Sequence, residues 1–291
     1  MKEEKCEGYQ AGVRRKGTEE VLKRNLRNGI EYLTFPKIEE TGIVNHLFTT
    51  RSGGVSEGIF ATMNLSYTRG DKREAVDTNF QRIAKLMGSS PEDFVCSDQT
   101  HTTNVRKVTL KDRGKGVIKE KDYRDVDGLI TDEPGIVLAT FYADCVPLFI
   151  VDVRHKAIGL SHSGWRGTAG RMGWHTLQAM KEAYGTEPAD VTAAIGPSIC
   201  GDCYEVGGEV AEAFQTAFSE AAVKKMIRPR ENGKFLLDLW QANYEVFAEA
   251  GVSPDRISVT DLCTCCNPDY LFSHRASGGK RGNMGAFMSL Y

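Results

Sequence analysis

The sequence predicts an α/β fold, a single domain in which mixed β-sheets are flanked by helices. Three observations carry that expectation. Apolar runs of strand length at 136–142, 146–153 and 157–161 are interleaved with segments whose apolar residues recur at helical spacing. A polar turn of three residues, Arg154, His155 and Lys156, joins the second and third runs. It is too short for a crossover, so that pair is antiparallel. From Ile30 onward no Pro- or Ser-rich linker and no internal repeat divides the chain.

Each helical segment has an apolar face. Val76, Phe80, Ile83 and Leu86 are spaced 4, 3 and 3 apart. Similar stripes run through Trp174, Leu177, Met180 and Tyr184, through Val206, Val210, Phe214 and Phe218, and through Leu237, Trp240, Tyr244 and Phe247. Further strands are expected at 191–195, 257–259 and 286–290. Residues 1–28 are densely charged and poor in large apolar groups, which predicts a mobile or loosely docked extension before a catalytic domain at 29–291.

Composition narrows the function. A chain of 291 residues with 41% hydrophobic content can bury a substantial core. Its formal net charge of −2 supplies no basic field for general nucleic-acid binding, so a small neutral or anionic substrate fits better. The most apolar region is interrupted by Asp144 and falls short of the roughly 18 residues of a membrane span. The charged N-terminus lacks the apolar run of a signal peptide, so a cytoplasmic protein is expected. In that setting clustered cysteines read as metal ligands or reduced thiols rather than disulfides.

Three segments place metal-capable residues where strands end: 96–101 (CSDQTH), 142–147 (YADCVP) and 161–167 (SHSGWRG). His101, Cys145 and His162 offer two imidazoles and a thiolate, a donor set that suits zinc with one coordination position open. Adjacent strands would bring Cys145 and His162 together, whereas spacing says nothing about His101. Taken singly, a cysteine at a strand end is also an ordinary buried apolar residue, and a lone histidine an ordinary structural one. Asp144 is a candidate to orient a histidine ring or to act as general base. Arg51, beside the flexible backbone of 49–56, suits an anion, and Arg166 is a second such residue, before a helix expected over 168–184. Tight turns with surface arginines are the plainer alternative. The cysteines Cys200, Cys203, Cys263, Cys265 and Cys266 fit a structural zinc, a redox pair or reduced thiols. The basic, glycine-rich stretch 272–283 reads as a solvated loop with some substrate contact.

Taken together, the segments FTTRSGGVS (48–56), QTH (99–101), ADCVPL (143–148), HSGWRGT (162–168), IGPSI (195–199) with YEVG (204–207), and FSHR (272–275) resemble the YfiH/YlmD-type multifunctional purine nucleoside phosphorylases, earlier labelled polyphenol oxidases or laccase-domain proteins. The resemblance runs from about Ile30 to the end. It implies one zinc per chain on His101, Cys145 and His162. It also implies phosphorolysis of adenosine, inosine, guanosine and methylthioadenosine with inorganic phosphate, and deamination of adenosine. On that basis Arg51 is expected to orient phosphate with Arg166 behind it, Asp144 to shuttle protons beside Cys145, and Gln99 and Arg275 to contact substrate. Three other functions compete. A copper-dependent polyphenol oxidase needs several histidine-rich copper centres, and this chain has six histidines with no His-x-His pair. A cysteine hydrolase would use Cys145 as nucleophile and His162 as base. A metal-stabilised interaction module would use the same residues without turnover.

Overall fold

The computed structural model describes residues 13–16 and 21–291. The chain opens with β1 (Lys23–Arg27), β2 (Ile30–Thr34), the short α1 (Pro36–Glu39), β3 (Val44–Thr49) and α2 (Arg73–Met87). Then come β4 (Phe94–Cys96), β5 (Val105–Lys107), β6 (Gly128–Thr131), β7 (Val137–Tyr142), β8 (Val146–Asp152) and β9 (Ala157–Ser163). Next are α3 (Trp165–Ala169), α4 (Met172–Tyr184), β10 (Val191–Ile195), β11 (Glu205–Val206), α5 (Gly208–Ala217) and α6 (Glu220–Met226). The last elements are β12 (Ile227–Pro229), β13 (Phe235–Leu237), α7 (Leu239–Glu249), β14 (Ile257–Val259), α8 (His274–Ser277) and β15 (Met284–Leu290).

Two mixed sheets of six strands form the centre, in the orders β1-β2-β3-β15-β7-β4 and β14-β10-β8-β9-β6-β5, with a small third sheet β11-β13-β12. The strand alternation shows why the apolar runs are continuous. On β8, Leu148 and Ile150 face the core under α4, α5 and α7, while Phe149 and Val151 face the layer between the two large sheets. On β15, Ala286 and Met288 enter that inter-sheet layer, whereas Phe287 packs with Phe80 and Ile83 of α2. The molecule is therefore layered helix, sheet, sheet, helix.

A four-residue turn, 153–156, joins β8 and β9 as the expected antiparallel pair, with Val153 in the turn rather than the strand and Pro147 opposite His162. β15 runs antiparallel between β3 and β7, which carries the preceding basic loop to the end of β7 where Cys145 follows.

Three expectations are corrected. The helix expected over 168–184 is two helices, because Arg171 sits at φ +64 and breaks it. α4 therefore buries Met172, Leu177 and Met180, and Trp174 is 40% exposed. Val206 and Leu237 precede their helices, in β11 and β13. The charged stretch before residue 28 is docked where it is described: β1 pairs with β2 over its whole length, Leu22 is buried, and Arg15 pairs with Asp261. Its charges mark strand pairing rather than looseness, since Arg24 holds the buried Glu31 of β2 through two hydrogen bonds. Residues 1–12 and 17–20 of that stretch lie outside the described residues.

Candidate metal centre

Each candidate ligand lies at or beyond the end of a strand. His162 lies near the end of β9 and is buried. Cys145 lies in the connection from β7 to β8, where Asp144 takes φ +91 and turns the chain sharply. His101 follows β4 in a loop, itself at φ +67. One donor atom from each of the three lies within 4.8 Å of the other two. Cys145 Sγ is 3.9 Å from His101 Nε2, and the imidazole centroids are 5.0 Å apart at 77°. A tetrahedral zinc with ordinary bond lengths separates a sulfur and a nitrogen ligand by about 3.6 Å. The Cys145–His101 pair therefore matches such an ion after a shift of a few tenths of an ångström, and the His162 donor lies within 4.8 Å of both. Gly164 makes this convergence feasible: a Cβ there would lie 2.7 Å from His101 Cδ2 and 3.1 Å from Cys145 Sγ.

The residue that assembles the centre is Asp127, which is fully buried just before β6. Its Oδ1 lies 2.7 Å from His162 Nδ1 and accepts the His101 amide at 3.2 Å. Its Oδ2 accepts the amides of Thr100 and Thr102 at 3.1 and 2.8 Å and the Thr102 hydroxyl at 3.0 Å. The Asp127 carbonyl accepts the His162 amide at 2.8 Å. One carboxylate thus orients one ligand ring, turning its Nε2 toward the cluster, and shapes the loop that carries the other imidazole.

Burial by itself raises the Asp127 carboxyl, but the His162 hydrogen bond and charge and the loop amides outweigh it and hold the group below its ordinary value. At Cys145 burial again opposes ionisation, and His162 and His101 overcome it to bring the thiol down to about 6. At His162 burial disfavours the cation, but Cys145 and Asp127 raise the ring to about 9. In the metal-free site these shifts favour a Cys145 thiolate beside a protonated His162 near neutral pH, so an incoming ion would displace the His162 proton.

The remaining expected site residues are dispersed. A cavity of about 420 Å³ opens on the three ligands and is lined also by Gln99, Tyr67, Phe141, Arg69 and Arg281. Gln99 reaches it, but its amide is engaged with the backbone of Phe141 on both sides, at 2.7 Å each. Asp144 orients no histidine; that role falls to Asp127. One Asp144 oxygen accepts the Thr264 hydroxyl at 2.6 Å and the other the Arg275 amide at 2.7 Å. Arg51 lies not in this cavity but in a small hollow that Arg281 also lines, stacked on Phe272 and donating to the carbonyls of Ala61 and Pro268. Arg166 is exposed and stacks on Trp165. Arg275 is exposed and donates to the carbonyls of Cys203 and Glu205.

Sequence reasoning singles out neither of two further residues at this centre, although the stretch 272–283 that carries one of them is expected to touch substrate. Asp127 is a lone acid before a strand. Arg281, in the basic glycine-rich stretch, is buried against the cavity with no partner for its Nε. Burial first, and then Arg69, lower its pKa to about 10.

The family described as "Multi-copper polyphenol oxidoreductase laccase" matches residues 45–291. The "Purine nucleoside phosphorylase YlmD" of Bacillus subtilis (strain 168) is 36% identical over 247 residues, spanning 84% of this chain and 87% of its own length. A protein from an unknown prokaryotic organism named "Adenosine deaminase RL5" is 34% identical over 265 residues, spanning 90% of this chain and 98% of its own. The crystal structure of the Bacillus licheniformis hypothetical protein YfiH superposes with a TM-score of 0.87 at 32% identity, covering 92% of this chain and 99% of that one. The chain therefore belongs to the YfiH/YlmD-type family, the one that carries the laccase description.

Proposed function

We propose that this chain is a zinc-dependent purine nucleoside phosphorylase that cleaves adenosine, inosine, guanosine and methylthioadenosine and also deaminates adenosine. The observation that carries this reading is the convergence of His101, Cys145 and His162 on one side of a cavity that also holds the buried Arg281. The names of the relatives from Bacillus subtilis and the unknown prokaryote supply the two reaction classes.

His101, Cys145 and His162 would hold the zinc. The chemistry available there is Lewis acidity, which polarises a bound oxygen and lowers a water pKa from 15.7 to about 7. Asp127 keeps the His162 ring in place while substrate binds. Arg281 takes the phosphate-orienting role first expected of Arg51: its guanidinium is in the cavity, desolvated and only partly engaged, with Arg69 nearby. The aromatic rings of Tyr67 and Phe141 line the same space and offer apolar surface to a purine.

Copper oxidation follows the family description, and two imidazoles with a thiolate can also hold a single copper. Several centres would need more histidines than this site collects. His46 accepts the Phe35 amide at 2.8 Å, His155 pairs with Asp152 at 2.8 Å, and His175 and His274 belong to no metal-capable group among the described residues. A cysteine hydrolase has one observation in its favour, the proximity of the Cys145 sulfur to a His162 ring nitrogen, within 4.8 Å, where the two histidines bring the thiol down to about 6 against burial. In that case alkylation, rather than zinc removal, would end turnover.

Incubation with adenosine, with and without phosphate, followed by product identification, decides the reaction class. Adenine with ribose 1-phosphate, or inosine, is expected. The absence of both products from incubations with zinc-loaded protein would contradict the proposal. Arg281→Gln should raise the phosphate KM at least tenfold and change deamination much less, and equal losses in both would refute a phosphate role. The zinc concentration that restores half of the turnover to metal-stripped enzyme should rise about tenfold per unit as pH falls from about 9 toward 6, because the metal must displace the His162 proton. Below about 6 the rise should steepen, because Cys145 protonates too. A requirement that does not change with pH is the contrary result.

A further inference from the structure

Outside the cavity, a second group of donors converges. The chain contains two Cys-x-x-Cys pairs, Cys200 with Cys203 and Cys263 with Cys266, about sixty residues apart and so unlike a compact zinc ribbon. The fold removes that distance. Ser198 and Cys263 form a parallel bridge, and the Thr264 amide donates to the Ser198 carbonyl at 3.1 Å. The four sulfurs then lie within 4.8 Å of one another, with Cys203 Sγ and Cys266 Sγ at 3.4 Å. Four thiolates around a tetrahedral zinc stand about 3.8 Å apart.

The backbone at these turns is already arranged for thiolates. Cys263 Sγ accepts two amides, from Cys200 at 3.3 Å and from Cys266 at 3.4 Å. Lys16 stands beside the cluster, paired with Asp202 of the same turn at 3.0 Å. Amide donors and a nearby cation offset the net negative charge of a four-thiolate centre. A disulfide would use neither feature.

We infer that Cys200, Cys203, Cys263 and Cys266 bind a second ion, a structural zinc held by four thiolates, which fastens together the two loops behind the catalytic centre. Those loops support the Cys145 turn. Ile199 donates its amide to the Asp144 carbonyl, Thr264 its hydroxyl to the Asp144 carboxylate, and Arg275 reaches the Cys203 carbonyl. Cys265, the neighbour of Cys266, is not one of the four.

The test uses the full chain purified without chelators, beside its Cys145→Ala variant, with elemental analysis and native mass spectrometry. Two zinc ions are expected in the unmodified protein and one in the variant. Loading metal-stripped variant with cobalt(II) should give the strong sulfur-to-metal charge-transfer absorption of a four-sulfur tetrahedral site. A metal-free variant, iron in place of zinc, or the mass deficit of a disulfide would overturn the inference. Cys203→Ser should lose one ion of the two. Should that variant fail to fold, the counts on the unmodified protein and on Cys145→Ala still decide. The Cys145→Ala count separates this inference from the proposed catalytic function, since it does not depend on turnover.

Discussion

A buried carboxylate between an imidazole and a loop holds this structure's chemistry together. Asp127 has no contact with solvent, and its two oxygens serve the His162 ring, the amides of Thr100, His101 and Thr102, and the Thr102 hydroxyl. Burying a carboxylate is costly unless it is paired and hydrogen-bonded, and in this centre every contact that compensates it also shapes a proposed metal ligand. His101 can occupy its left-handed backbone position because the amides on both sides of it, and its own, are fixed by that group. Loss of the carboxylate would free the loop and the ring together.

The layered sheets make the rest of the centre rigid. β8 and β9 are buried on both faces and pair over seven residues, so the spacing from Cys145 to His162 is set by a ladder rather than by a loop. β15 delivers Arg281 to the same end of the molecule by pairing with β7. The flexible choices are confined to connections: the turn at Asp144, the loop at His101, and the close approach at Gly164, where a side chain would collide with two ligands. That division, a rigid scaffold with chemistry at its loop ends, is how α/β sites are usually built.

Much of this is legible in the residues. The apolar runs mark β7, β8, β9 and β10, and the short polar turn makes β8 and β9 antiparallel, because strand length and turn length are local properties. The adjacency of Cys145 and His162 follows from that pairing. His101 is joined to them in the sequence only by family resemblance, since its approach depends on Asp127, some 26 residues later in the chain. The arginines mislead for a related reason. Arg51 and Arg166 sit in glycine-rich segments that suggest anion binding, yet Arg51 is committed to two backbone carbonyls and Arg166 to a neighbouring indole. Arg281 reads as part of a solvated loop with some substrate contact, and the course of β15 brings it inside. Asp144 stands out for lying beside Cys145, but side chains on successive residues of a sharp turn diverge, and its carboxylate points to Thr264 and Arg275 instead.

The most direct test is the zinc affinity of the His101–Cys145–His162 centre in Asp127→Asn, measured by competition with a chromophoric chelator against the unmodified protein. The substitution keeps the shape but places an amide where several donors converge. The affinity should fall by about 10- to 100-fold while the sheets remain folded. An unchanged affinity would mean that the three ligands reach their positions without Asp127, which contradicts its role as the group that assembles the centre.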